Sequence, residues 1–304
     1  MIVRLAVAVL ALAAGATAVA LAVLLLHGTP GPVSTAPAAL PAASPAPAAP
    51  ATPSFPAPPA NAVVFSREDG ADALALAVVP RGESVLAQAS VVGPQGTGVD
   101  GLSVSFGSVR ATACGHGCYR ATLRRPRAVE LRVAKTRWLV PLPAPWPPLD
   151  ASAIVARAAH VWRSLRTLVF SDRLGSDATH VVFSEWRMVA PDRLSYRLED
   201  GYQSVIVGGR RWDRARHGRW IESSQTPIRQ PVPFWQSETD AHVISETPTT
   251  TRITFYDPRT PAWFAVTVDK RTLRTLDLRM TTTSHFMHER YGPFDAPLEI
   301  RPPG

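Results

Sequence analysis

Two cysteines and two lysines are all that the 304 residues carry of either type, so nearly all of the positive charge is arginine. One cysteine pair excludes a disulfide-dense mini-scaffold, and also a four-cysteine zinc site. The sequence holds no G-x-S-x-G, H-E-x-x-H, Walker or dinucleotide-binding pattern, which removes the common hydrolase, zincin and nucleotide-enzyme readings. The C-x-x-C-H motif of covalent haem is also missing. Net charge is +8, but residues 62–147 carry ten basic and six acidic groups, and residues 148–304 carry 21 and 18. Outside "RATLRRPR" (residues 120–127) there is no basic run, so nucleic acid is not expected as a partner. No catalytic group and no resident cofactor are expected, and the chain is read as a non-enzyme.

Charge and proline are both missing from residues 5–26, LAVAVLALAAGATAVALAVLLL. As a helix these 22 residues reach about 33 Å, the thickness of a bilayer core. Arg4 in front and a large domain behind imply a single pass with the chain emerging outside. A cleaved signal peptide is the alternative, because Ala16-Thr17-Ala18 has the small-x-small form, although the apolar run continues past it. Residues 1–27 are thus read as a transmembrane anchor or signal peptide. Residues 28–60 carry 11 prolines and no charge, which forbids a packed core and favours extended polyproline geometry. They are read as a disordered spacer. The localisation expected is the cell membrane, with the later domains extracytoplasmic.

Residues 61–147 show short alternating segments, among them "ALALAVVP", "SVLAQASVVG", "GLSVSFGSV" and "AVELRVAK", punctuated by Gly, Pro and Asp. Six or seven short strands in that length predict an immunoglobulin-like β-sandwich. In "ATACGHGCYRAT" the two cysteines flank His116. Fully extended, their Cα atoms would lie about 13 Å apart, too far for a bridge. Gly115 and Gly117 permit the tight turn that brings them together. A Cys114–Cys118 disulfide is the first expectation for an exported chain. A copper site using Cys114, His116 and Cys118 is the alternative, since thiolate and imidazole both suit that metal, and free reactive thiols are a third reading. The run "VVGPQGTGVDGLSVSFGSVRATACGHGCYRATL", followed by "VELRVAKTRWLVPLP", resembles the small extracytoplasmic β-sandwich modules of YtkA-like and copper-resistance D-like proteins. That resemblance implies a copper-handling module of the cell envelope.

Residues 148–304 begin with "PPLDASAIVARAAHVWRSLRTL". Here Ile154, Val155, Ala158, Val161, Trp162 and Leu165 recur at three and four and predict an amphipathic helix, with Asp150 as its candidate N-cap. Strand patterns follow to the end of the chain. In "VVFSEWRM", Val181, Phe183, Glu185 and Arg187 take one face, and Val182, Ser184, Trp186 and Met188 the other. One helix on a long antiparallel meander predicts an α+β fold with a strongly curved sheet. "EWRMVAPDRLSYRLEDG", "VIVGGRRWDRARHGRW" and "FYDPRTPAWFAVTVDKRTLRTLDLRM" resemble the LolA-like lipoprotein-carrier family. The resemblance implies a half-barrel with a helix packed on it and a lipid or lipoprotein as ligand. It makes Trp162, Trp186, Met188, Tyr196, Ile206, Phe255, Phe264 and Met280 candidate cavity residues. The other reading of those eight is ordinary core. In "SHFMHER", His285 and Met287 share a strand face and extend the copper alternative.

Overall fold

The computed structural model describes residues 56–304 apart from Arg125 and Ala178. The expected anchor at residues 1–27, and the spacer as far as residue 55, lie outside the described residues. Among the described residues no helix is long and apolar enough to cross a membrane. Pro56 and Ala57, which the sequence placed in the spacer, are hydrogen-bonded to the folded part. Their carbonyls accept from Ser90 Oγ at 3.0 Å and Gln88 Nε2 at 3.1 Å.

The chain is mainly β with one helix, built from open antiparallel sheets. The first five-stranded sheet joins β1 (Val63–Asp69), β2 (Asp72–Arg81), β3 (Ser84–Val92), β7 (Cys118–Arg124) and β6 (Thr112–Gly115), in the order β1-β2-β3-β7-β6. It faces β5 (Val109–Arg110), β4 (Val104–Phe106), β8 (Ala128–Val133) and β9 (Thr136–Pro141), in the order β5-β4-β8-β9. With β1 set aside, this is the strand order of an immunoglobulin-type sandwich with an added edge strand in its second sheet. Leu74, Leu76, Val78, Val104, Phe106, Tyr119 and Leu131 fill the space between the two sheets.

The sequence "ALALAVVP" is buried on both faces, and its alternation of large and small residues explains why. Leu74, Leu76 and Val78 enter the sandwich core. Ala73, Ala75 and Ala77 point the other way, into a second cluster with Tyr256, Trp263 and Phe286 of the following region. Alanines at those positions let a second sheet approach closely behind the sandwich.

That second sheet has eleven strands in two meanders. The first runs β10 (Thr167–Gly175), β11 (Val181–Val189), β12 (Arg193–Leu198), β13 (Gln203–Val207), β14 (Arg210–Arg214) and β15 (Ile221–Ser224). The second runs β16 (Thr239–Glu246), β17 (Thr250–Asp257), β18 (Ala262–Asp269), β19 (Thr275–Thr282) and β20 (His285–Phe294). The first and last strands, β10 and β20, pair in the middle, so β15 and β16 become the two edges. The helix α1 (Ser152–Ser164) precedes β10 and buries Val155, Ala158, Ala159 and Trp162, with Ile154 and Val161 half-buried. Its N-cap is Ala151 rather than the expected Asp150. Asp150 sits one residue earlier, and its carboxylate accepts from the Ser152 backbone N–H at 3.1 Å and from Ser152 Oγ at 3.2 Å.

Candidate functional site

Cα partners across an antiparallel ladder point to the same face, so the registers assign the faces of the large sheet. Phe170 pairs with Trp186, Trp186 with Tyr196, and Met188 with Leu194 and through it Ile206. On the other side Phe170 pairs with Tyr291. Phe255 pairs with Phe264, Phe264 with Met280, and Met280 with Met287. Every strand candidate for the cavity therefore lies on one face, the inner one. Trp162 of α1 packs onto it, with its ring 4.6 Å from Tyr291 and edge-on. Tyr256, Trp263 and Phe286 take the outer face, against the sandwich.

The two edges of this sheet are consecutive in sequence. Residues 225–238 connect β15 to β16 with no regular structure. Ten interstrand gaps of about 4.8 Å would separate the edges of a flat sheet by about 48 Å. That is close to the full reach, about 50 Å, of the fifteen steps from residue 224 to residue 239. The ring contacts of Trp235 place the connection across the inner face as a strap. Trp235 on this strap is buried. Its ring lies edge-on to Trp162 at 5.9 Å, to Phe255 at 5.7 Å and to Phe264 at 6.3 Å.

The aromatic rings form one continuous chain across the face. Phe255 stacks on Phe264 at 5.2 Å, and Trp235 and Trp162 link them to Tyr291. Tyr291 contacts Phe170 at 5.4 Å, Phe170 stacks on Trp186 at 5.7 Å, and Trp186 stacks on Tyr196 at 4.4 Å. The eight candidates for a ligand cavity are packed together on this face. Trp162, Trp186, Met188, Tyr196, Ile206, Phe255 and Phe264 are each 5 % exposed or less, and Met280 is half-buried. A side chain lining a solvent-sized void keeps accessible area on that side. The first seven keep almost none, with α1 and the strap packed onto the face. They form a packed layer between the sheet, α1 and the strap.

Polar groups are embedded in the same face. Asp172 on β10 and Glu289 on β20 are direct register partners, 6 % and 0 % exposed. Asp172 Oδ2 accepts from Ser184 Oγ at 3.4 Å, and Ser184 Oγ in turn accepts from Trp186 Nε1 at 2.7 Å. Glu289 Oε2 accepts from Tyr291 OH. Asp172 Oδ1 and Glu289 Oε1 are buried without a hydrogen-bond partner among the described residues, as are the indole nitrogens of Trp162 and Trp235. Burial pushes the Asp172 carboxyl up to about 7, against smaller opposing effects of Ser184 and Arg173. Burial, and then the Asp172 charge, raise Glu289 well above the carboxylate range. Further along the face, Arg211 Nε donates to both Asp213 oxygens at 2.9 and 2.7 Å, and its Nη2 donates to Tyr196 OH at 3.0 Å.

The cysteines are joined as Cys114–Cys118, with Cα atoms 5.1 Å apart across the β6–β7 turn. As a disulfide they offer no thiolate to a metal. His116 stands at the exposed tip, its Nδ1 2.6 Å from Asp100 Oδ2, and the hydrogen bond and charge of Asp100 raise its pKa. Gly117 has φ +63°, and a Cβ there would come within 2.5 Å of Val91 O and Gly98 Cα. Glycine is required at that position on both counts. His285 is exposed and bonded to the Thr283 carbonyl, while Met287 is buried. Among the described residues no three His, Cys, Asp or Glu side chains come together in a metal-holding group. The copper alternative on Cys114, His116, Cys118, His285 and Met287 has no assembled ligand set.

Sequence reasoning missed Trp235, Asp172, Glu289 and Tyr291. Two cues were present: a fourteen-residue, proline-containing gap in a meander of otherwise short turns, and single acids in alternating apolar runs.

No family model matches the sequence, and no curated protein matches it. Among solved structures the chain is similar to the LolA superfamily protein NE2245 from Nitrosomonas europaea. That match has 8 % identity and a TM-score of 0.22, and covers 51 % of this chain and 96 % of the other.

Proposed function

We propose that this chain is a membrane-anchored, extracytoplasmic, non-enzymatic binding protein that holds a lipid or other apolar ligand on the inner face of its LolA-like half-barrel. The observation that carries this reading is the closure of an aromatic face by an irregular strap rather than by a strand or a second helix. The strap is tied by three backbone N–H groups: Gln225 N–H donates to Gly209 O, Gln230 N–H to Pro191 O, and Gln236 N–H to the Asp257 carboxylate. Between them Val232 N–H bonds only to the Gln230 side chain, at 3.2 Å. Pro231, Pro233 and Trp235 are the buried side chains of the stretch that follows, and an acyl chain can replace the Trp235 ring with equivalent apolar contact. The sequence resemblance to lipid-carrying folds points the same way. The apolar segment at residues 5–26 supports membrane anchoring, and the disulfide suits an exported compartment.

The test is uptake of a fluorescent sixteen-carbon fatty-acid probe by the purified chain, with native mass spectrometry on the protein as isolated. Saturable uptake at about one probe per chain, increased by Trp235→Ala, is expected. No uptake by either form and no co-purifying acyl species would reject the reading.

A further inference from the structure

We infer that the Asp172–Glu289 pair is a headgroup subsite, and that the ligand beneath the strap is an amphiphile bearing a primary ammonium rather than a carboxylate. This rests on the apolar-ligand reading and sharpens it. Buried carboxyls normally have partners for both oxygens. Here two of them face each other across one register position, and each keeps one oxygen unbonded.

Among the described residues no cation on the inner face satisfies them. Arg173 follows Asp172 in the chain and points to the opposite face, where its guanidinium bonds Glu68 at 3.1 Å. His288 and Asp277 pair with each other at 2.7 Å on that outer face too. The inner-face neighbours of the pair are Ser184 from β11, Leu278 from β19 and Tyr291 from β20. Trp162 from α1 lies against Tyr291, and Trp235 from the strap lies against Trp162. The other titratable groups clustered further along are Tyr196, Tyr202, Asp213 and Arg211, and that arginine is committed to Asp213 and the two tyrosines.

An alkylammonium matches this arrangement. Its three donors meet the two free oxygens. Its charge replaces the proton that burial keeps on the pair, and its alkyl chain runs along the aromatic row. An anionic head would place a third acid in the same dry site. Binding of the cation releases a proton to solvent, so affinity rises with pH, whereas a neutral alcohol binds without that dependence.

The experiment compares decylammonium, decanol and decanoate, each below its micelle concentration, binding to the full chain and followed by tryptophan fluorescence from pH 5.5 to 8.5. At pH 8 decylammonium is expected to bind at least about tenfold tighter than decanol, and decanoate weaker than either. The double variant Asp172→Asn with Glu289→Gln, which removes both acids, is expected to erase the ammonium preference. A second readout on the wild-type chain alone is the preference for decylammonium over decanol, which should shrink as pH falls to 5.5. Decanol binding with no ammonium preference, or a preference that survives the loss of both acids, would overturn the headgroup assignment and leave the apolar-ligand reading standing. No binding of any of the three would overturn both.

Discussion

Trp235 is held by rings and not by hydrogen bonds, since its indole nitrogen is buried without a partner. Trp235→Ala should cost about 3 kcal/mol of stability in urea unfolding, the usual scale for an aromatic-to-alanine change in a core. Asp172 makes a prediction of opposite sign. Its folded pKa, about 7, lies above the ordinary 3.8, so the native state binds more protons than the unfolded state between those values. Stability is therefore full below pH 4 and falls as pH rises to 7. Asp172→Asn should flatten this fall and leave the chain more stable than wild type at pH 7.5, by about 4 kcal/mol at most. A variant less stable at pH 7.5 would show that the carboxylate has a cation partner in solution. Little at this scale was legible beforehand. Trp186 and Met188 could be placed on one face by alternation, but burial of Asp172 and Glu289 depends on two strands 117 residues apart pairing directly, and no local pattern encodes that.

Strands and the helix were legible as elements because their periods are local. "VVFSEWRM" alternates, and Ser184, Trp186 and Met188 are the buried set. The strap has no period. Its role comes from joining opposite edges of a sheet whose strand order depends on the distant β10–β20 pairing. Few backbone hydrogen bonds hold residues 225–238, so their amides should exchange within seconds to minutes at neutral pH while those of β10 and β20 stay protected. Protection of the strap equal to that of β10 would argue against its displacement by a ligand. The disulfide-closed β6–β7 turn is a second local element. Cys114→Ser with Cys118→Ser should lower stability by about 2 kcal/mol, because the closed loop is short. The melting temperature should fall accordingly, with ligand uptake unchanged.

At the scale of the whole molecule, the sandwich and the large sheet share the cluster built on Ala73, Ala75, Ala77, Tyr256, Trp263 and Phe286. Such a shared apolar layer couples two regions into one cooperative unit. Calorimetry of the wild-type chain should show one unfolding transition, and Trp263→Ala, with that ring 1 % exposed, should split or broaden it while costing about 4 kcal/mol. Two separate transitions in the wild-type chain would mean the layer does not couple them. The alternating alanines of β2 carried this information in the sequence, but their partners lie far along the chain, at Tyr256, Trp263 and Phe286. Binding on the inner face is tested most directly by photocrosslinking with an alkyl diazirine, followed by mapping of the labelled peptides. Labels should fall on Trp162, Trp235, Phe255 and Phe264, on one chain at saturating probe. Labels confined to the outer strands, or scattered without saturation, would contradict a site beneath the strap.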